Sequence, residues 1–262
     1  MPKVAVNNIE MYYEISGQGE PLLLIHGLGS STRDWEDMIP FLPDFKIITL
    51  DLRGHGQTTK PKGPYSIKMF ANDIVTLLKT LDISSAHVLG ISLGGGIALQ
   101  IAVDYPEFVK SMIVINSTAE IRVDLFKMKM EAFKRKLIVK LVGMKKMGEV
   151  LAPRLFIKPE QEEQRKKLIK RWAENDKKAY LSAMGAIMGW SVMKQLPDIK
   201  CPSLIIGSDE DYSPSSVKRE FTAKIPNAKF VEIEDARHAV TAEKPEELSK
   251  TVKDFLSTIP SN

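Results

Sequence analysis

The stretch from His87 to Ala102 constrains this chain more than any other. His87-Val88-Leu89 is a short apolar run that reads as a buried strand, and Gly95-Gly96-Ile97-Ala98-Leu99-Gln100-Ile101-Ala102 reads as the opening of a helix. Between them stands Gly90-Ile91-Ser92-Leu93-Gly94. A serine between glycines at a strand-to-helix turn can be held in a strained backbone conformation with its hydroxyl projecting outward, because the small flanking residues let neighbouring backbone approach closely. The pattern alone recurs by chance. The strand before it and the helix after it are what give it weight. The mostly apolar span from Ala86 to Val103 has roughly the length of a membrane crossing, but Ser92 and three consecutive glycines interrupt it, and strand, turn and helix account for it better.

The same alternation runs through the rest of the chain. Val4–Val6 and Glu10–Ile15 look like a hairpin turning at Asn7-Asn8. Leu22–Ile25 and Lys46–Leu50 are apolar runs bounded by turn residues, as in strands covered on both faces. Ile67, Phe70, Ile74, Leu77, Leu78 and Leu81 recur at helical spacing, and Lys110–Asn116 supplies another strand. Late in the chain, Ser203–Gly207 and Lys229–Glu234 read as strands, with helices over Ser215–Lys224 and Pro245–Ser257. Such alternation implies an α/β fold, a mostly parallel sheet flanked by helices. Ligands of such sheets bind outside the carboxyl ends of the strands.

Charge divides the sequence. Of its 37 Lys and Arg and 33 Asp and Glu, the segment Glu120–Lys194 holds 19 basic and 9 acidic residues, a net of +10, and the remainder carries −6. This predicts an α/β core over 1–118 and 196–262 and a helical insert over 119–195. In the insert, Phe126, Met130, Phe133, Leu137, Leu141 and Met144 line up as an apolar stripe, with Lys127, Lys134, Lys140 and Lys145 elsewhere. Glu160–Lys178 reads as a very polar helix, and Ala179–Trp190 is rich in small residues and methionine. The insert is expected to act as a lid whose stripe packs over the body; a second reading has its Met and Phe face meeting an apolar substrate or a lipid surface. Its lysines are read as solvated faces or as a weak attraction to anionic lipid. The whole-chain net of +4 gives no reason to expect a nucleic-acid partner, and the single Cys201 excludes an internal disulfide framework. The first residues show no apolar leader core, so a cytoplasmic protein is expected.

A serine nucleophile needs a base, an acid to orient it and donors for the developing oxyanion. His238 follows the last strand, and Asp209, Glu210 and Asp211 crowd the loop after Gly207. Backbone N–H groups of Leu93 and of Leu28, in His26-Gly27-Leu28-Gly29, are the natural oxyanion donors, and His26 is read as a structural part of that loop. His26, His55, His87 and His238 lie far apart without Cys or His partners at ligand spacing, so no metal site is expected, and no dinucleotide fingerprint appears. The chemistry needs no cofactor.

Taken together, His26–Gly29, Asp51-Leu52-Arg53-Gly54-His55-Gly56, Gly90–Gly94 and a late Asp…His pair resemble the α/β-hydrolases over essentially the whole chain. The resemblance implies an eight-stranded sheet with a helical lid after the sixth strand, the triad order Ser, Asp, His, and a structural role for His55. It leaves the acid open. The usual family spacing from Gly207 points to Glu210, whereas Asp211-Tyr212-Ser213-Pro214 matches the Asp-Tyr-Thr-Pro of some relatives; Asp211 is preferred, Glu210 is the alternative and Asp209 comes third. The expected activity is cleavage of carboxylic esters with apolar acyl groups, or of monoacylglycerols, with Met184, Met188 and Trp190 contacting substrate. Alternatives in the same fold are an enol-lactonase or carbon–carbon bond hydrolase, a perhydrolase, and a non-catalytic binding protein.

Overall fold

A computed structural model describes residues 2–121 and 126–260, without the side chains of 126–128. The first apolar runs form β1 (Lys3–Val6) and β2 (Ile9–Ser16), an antiparallel hairpin. It turns on Asn7 and Asn8, whose φ angles of 42° and 63° lie in a region asparagine tolerates. Then follow β3 (Glu20–Ile25), β4 (Phe45–Leu50), α1 (Ile67–Thr80), β5 (Ala86–Ile91), α2 (Leu93–Asp104) and β6 (Val109–Ile115). Four helices come next, α3 (Phe126–Leu141), α4 (Met144–Leu155), α5 (Glu162–Ala173) and α6 (Lys177–Ile187). The chain closes with β7 (Ser203–Ser208), α7 (Ser215–Thr222), β8 (Ala228–Ile233), the short α8 (Val240–Glu243) and α9 (Pro245–Leu256).

All eight strands join one sheet in the order β1-β2-β4-β3-β5-β6-β7-β8, antiparallel at β1–β2 and β2–β4 and parallel from there on. Strand periodicity decides which layer each residue joins. Leu22 and Leu24 of β3 face Trp35, Met38 and Val252 of α9, while Leu23 and Ile25 face a layer containing Phe70 and Ile74 of α1 and Ile97 of α2. Burial on both faces explains why the central strands read as unbroken apolar runs.

One buried ion pair fastens this core. Arg53, in the turn after β4, grips Asp73 of α1 through Nε and Nη2, each 2.7 Å from a carboxylate oxygen. Asn7 of the hairpin turn donates to the same carboxylate at 3.0 Å, so one acid ties together the hairpin, the turn and the helix.

The insert departs from expectation in three ways. The polar segment Glu160–Lys178 is two helices rather than one, because Asp176 accepts from the N–H groups of Lys178 and Ala179 and so caps a new start. The apolar stripe is broken by Gly143, at φ 105°, between α3 and α4. And the stripe does not pack over the body: Met130, Phe133, Leu137 and Leu141 point outward, with Leu141 75% exposed. Helix α3 buries Val139 instead, and among the described residues of the stripe only Met144, on α4, is buried. The side chains of Phe126 and Lys127 lie outside the described residues.

The basic surface of the insert meets the acidic body directly. Arg171 and Lys167 reach Glu36, Lys158 reaches Asp235 at 2.6 Å, and Arg33 of the body returns a contact to Glu174 at 2.5 Å. At its base, the insert is closed by a bridge between Glu120 and Ser191. No helix among the described residues is long and apolar enough to cross a membrane.

Removing one partner of a buried ion pair strands the other charge. Asp73→Ala is therefore expected to lower unfolding free energy by about 3–5 kcal/mol, measured as a fall in the urea midpoint at unchanged slope.

Candidate active site

The turn between β5 and α2 is as tight as the sequence implies. Ser92 has φ 55° and ψ −116°, a left-handed conformation that a non-glycine residue holds only when its surroundings force it. A side chain at Gly94 would place its Cβ 2.0 Å from the Ile25 carbonyl oxygen, and one at Gly90 would meet the Gly94 carbonyl at 2.1 Å. The glycines thus let α2 begin directly against the ends of β3 and β5. Two hydrogen bonds secure the bend: the Ser92 N–H donates to Ile115 O at 2.9 Å, and the Ser117 hydroxyl donates to Ser92 O at 2.6 Å.

The loop after β3 runs past this turn, with Gly27 close to the Ser92 side chain. His26 is wholly buried and spoken for by backbone. Its Nδ1 lies 2.7 Å from Gly27 O, so it donates there, and its Nε2 accepts from the Leu52 N–H at 3.0 Å. Burial lowers its pKa to about 4, which keeps the ring neutral in that tautomer. Asp34 accepts from the Ser30 hydroxyl and from the Gly27 N–H at 3.4 Å; burial pushes its carboxyl upward, against the pull of those donors. Asp51 accepts from Thr32 N–H and Gln57 N–H, each at 2.7 Å, fixing the loop from the next turn. Leu93 is the first residue of α2, where N–H groups have no acceptor within the helix, and Leu28 lies at the loop's apex.

Three adjacent acids follow β7, and each has its own task. Asp209 accepts from the N–H groups of Asp235 and Ala236 at 3.0 and 3.1 Å, shaping the loop that carries His238. Glu210 is half exposed and pairs with Arg237 Nε at 3.0 Å. Asp211 is buried, and its Oδ1 lies 2.6 Å from His238 Nδ1. Of the two candidate acids, Asp211 is therefore the one that reaches the imidazole. Burial alone would raise its carboxyl; the hydrogen bond and charge of His238, then the charge and hydrogen bond of Lys218, outweigh that and hold it at about 2. The Tyr212 ring lies against the imidazole at a centroid distance of 4.5 Å.

Neighbouring residues that the sequence reading passed over draw the two halves together. While Ser117 holds the Ser92 carbonyl, the amide of Asn116 donates to the carbonyls of Arg237 and His238 at 3.1 and 3.3 Å. Their position just past β6, between the serine strand and the acid strand, was the available signal.

The three residues expected to contact substrate are placed differently from one another. Trp190 is fixed at the base of the insert, its Nε1 donating to Gln100 Oε1 at 2.8 Å and its ring lying against Gly96 of α2. Met184 belongs to the insert's own core with Trp172 and Tyr180, and Met188 is half-buried just past α6. What the insert presents to the Gly-rich loop is Trp172, against Gly29, and Asn175, whose amide donates to Gly29 O at 2.8 Å. No three His, Cys, Asp or Glu side chains among the described residues cluster as metal ligands.

A model of the alpha/beta hydrolase fold matches residues 20–245. The chain belongs to the α/β-hydrolase fold family. It is 28% identical to an (E)-2-((N-methylformamido)methylene)succinate hydrolase of Acinetobacter baylyi, over 97% of each chain. Its structure is similar to the crystal structure of an enol-lactonase from Burkholderia xenovorans, with a TM-score of 0.90, 28% identity and coverage of 98% of this chain and 100% of that one. An esterase from Thermogutta terrifontis has a TM-score of 0.89 at 24% identity over 99% of each chain, a likeness of fold. The α/β-hydrolase family and the eight-stranded, mostly parallel sheet are thus as the motifs implied.

The separate tasks of the acids generate a sharp contrast. Asp211→Asn is expected to lower ester turnover by on the order of 10⁴, as in other triads that lose the carboxylate, whereas Glu210→Gln is expected to stay within about threefold, being a surface pair. Steady-state assays on a short p-nitrophenyl ester check both.

Proposed function

We propose that this α/β hydrolase cleaves carboxylic esters through an acyl-enzyme formed on Ser92. The observation that carries the reading is the buried Asp211–His238 contact of 2.6 Å, on a loop hydrogen-bonded to the strand end that also holds the strained Ser92 turn. His238 takes the Ser92 proton as the hydroxyl oxygen attacks the ester carbonyl. The Leu28 and Leu93 N–H groups receive the developing oxyanion, which costs little reorganisation because backbone fixes them. The tetrahedral adduct collapses, the C–O bond to the leaving alcohol breaks, and His238 returns the proton to that alcohol. Water, deprotonated by His238, then attacks the acyl-enzyme, and the acid leaves with Ser92 regenerated. Asp211 holds the imidazole tautomer and balances the imidazolium charge.

Apolar acyl esters or monoacylglycerols are the proposed substrates. A lactone carrying a carboxylate is the second reading. The enol-lactonase among the similar structures favours it, and Arg135 of α3, near enough for its charge to bear on Tyr212, is the candidate cation for such a carboxylate, since that ring lies against His238. Ser92→Ala is expected to reduce turnover by on the order of 10⁴ to 10⁶, and a fluorophosphonate should label the unaltered chain and not this variant. Full activity of the variant on p-nitrophenyl esters sinks the mechanism. A panel of acyl esters of increasing length against carboxylated enol-lactones decides the substrate class: Arg135→Ala should lower kcat/KM for the lactones alone.

The outward ridge of α3 supports a weak lipid-surface contact. Met130, Phe133, Leu137 and Leu141 are exposed, with Lys129, Lys136 and Lys140 along one flank and Lys134 on the other, the pattern of a helix lying at an anionic interface. Co-sedimentation with phosphatidylglycerol vesicles, absent with phosphatidylcholine and lost in Phe133→Ser/Leu141→Ser, is the expected result. No binding by the unaltered chain ends the idea, and a dimer abolished by the same substitutions assigns the ridge to a second copy instead.

A further inference from the structure

Helix α7 carries a lysine on its inward face. Lys218 stands one helical turn before Phe221 and Thr222, both buried, and its own side chain is 0% exposed. Its stem lies beside Gly207 of β7 and the ring of Phe230, where a side chain at position 207 would displace it. Its Nζ is 2.7 Å from Asp211 Oδ2 and 2.7 Å from the Ser213 carbonyl. The same carboxylate therefore serves two partners: Oδ1 faces the His238 imidazole and Oδ2 faces the ammonium, with the Ser213 hydroxyl donating to Oδ2 at 3.0 Å. A buried lysine is rare unless paired, and the Ser-His-acid chemistry has no use for a cation on the acid's far oxygen. Such a cation works against the acid's own task, since it withdraws negative charge from the group that must stabilise the imidazolium.

We infer that Lys218 is a positioning residue that acts through Asp211, locking the carboxylate toward His238 while lowering the pH at which His238 takes up its proton. This rests on the reading of Ser92, His238 and Asp211 as the acyl-transfer machinery. The sign follows from the charges. Asp211 as an anion favours imidazolium; Lys218 on the same carboxylate weakens that preference, so the imidazole stays neutral, and competent as a base, further into acid. The other groups around His238 are the Tyr212 ring, the Asp34 carboxyl behind the Gly-rich loop, and the Arg237–Glu210 pair beside it in the chain. No hydrogen bond or ion pair joins any of them to Lys218, whose ammonium meets Asp211 and the Ser213 carbonyl.

The test is the pH dependence of kcat/KM for p-nitrophenyl butyrate, which reports groups of the free enzyme, in Lys218→Met and Lys218→Gln. Met keeps the length without charge or donor; Gln keeps a donor without charge. In both, the acid limb is expected to move to higher pH by about one unit, the scale of a unit charge one carboxylate away at a partly screened site. An acid limb that stays in place while the plateau falls reduces Lys218 to a structural prop and overturns the proposal. A limb that moves in Lys218→Met but not in Lys218→Gln overturns it as well, since the charge would then not be the agent. If the single variants do not fold, urea unfolding decides: Asp211→Asn/Lys218→Met should unfold at higher urea than Asp211→Asn, which strands a buried ammonium. Equal midpoints contradict the pair. Fluorophosphonate labelling of the unaltered chain separates the two levels: labelling with an unmoved limb removes only the role of Lys218, whereas no labelling and no hydrolysis removes the acyl-transfer reading beneath it.

Discussion

The contact on which this molecule depends is the approach of α2 to the end of β3, where Gly94 leaves no room for a Cβ beside the Ile25 carbonyl. A helix beginning that close to the sheet has its first N–H groups at the strand ends, next to the loop that leaves β3. The strain at Ser92 is the local consequence. It is sustained because β6 and the residues just past it supply both restraints on the bend, the Ile115 carbonyl and the Ser117 hydroxyl. Larger residues at 90 or 94 would push α2 away, relax Ser92 and separate the Leu93 N–H from the loop that carries Leu28. The Ser92 turn and the N–H groups proposed as oxyanion donors are thus one backbone event, set by two missing side chains.

How much of this was legible in the sequence follows from where information is local. The strands are short apolar runs covered on both faces, so β3, β4 and β5 stand within a residue or two of where Leu22–Ile25, Lys46–Leu50 and His87–Gly90 put them. The places of Ser92, at a tight strand-to-helix turn, and of His238, beside Asp211, were readable because chain order and strand ends fix them. The acid was ambiguous because Asp209, Glu210 and Asp211 differ in partners, not in local pattern; only the loop's curvature gives one to backbone, one to Arg237 and one to His238. Lys218 was hidden in another way. A lysine in an amphipathic helix reads as solvated, and the clue was its spacing to Phe221 and Thr222 on the buried side. The stripe of α3 failed for a related reason: helical periodicity shows that apolar residues share a face, not which way that face looks.

Burial is used here to fix protonation states rather than to avoid charge. His26 is kept neutral by burial and by two backbone partners, so it can only be a clamp between Gly27 and Leu52. Asp34 is pushed up by burial while donors pull it down. The Asp211 carboxylate is also enclosed, yet it is held low because the His238 imidazole and the Lys218 ammonium both meet it. Enclosure of the same kind therefore yields a structural imidazole and an ionised acid, and the partners decide which.

The insert and the Gly-rich loop are one mechanical unit. Trp172 leaves no space for a side chain at Gly29, Asn175 holds the Gly29 carbonyl, and Arg171 donates to the Arg33 carbonyl at 3.0 Å while Arg33 reaches Glu174. All these partners on the insert lie in or just after α5, and all those on the body lie within a few residues of Leu28. A displacement of α5 would thus be felt first at the backbone that is read as the oxyanion site. The base of the insert is tied separately, through Trp190 on Gln100 of α2, the helix that begins at Leu93. The middle and the base of the insert are therefore attached to the loop that carries Leu28 and to the helix that begins at Leu93. On the proposed reading of Leu28 and Leu93 as oxyanion donors, a shift of the insert would reach both at once, so substrate fit and oxyanion geometry would be coupled.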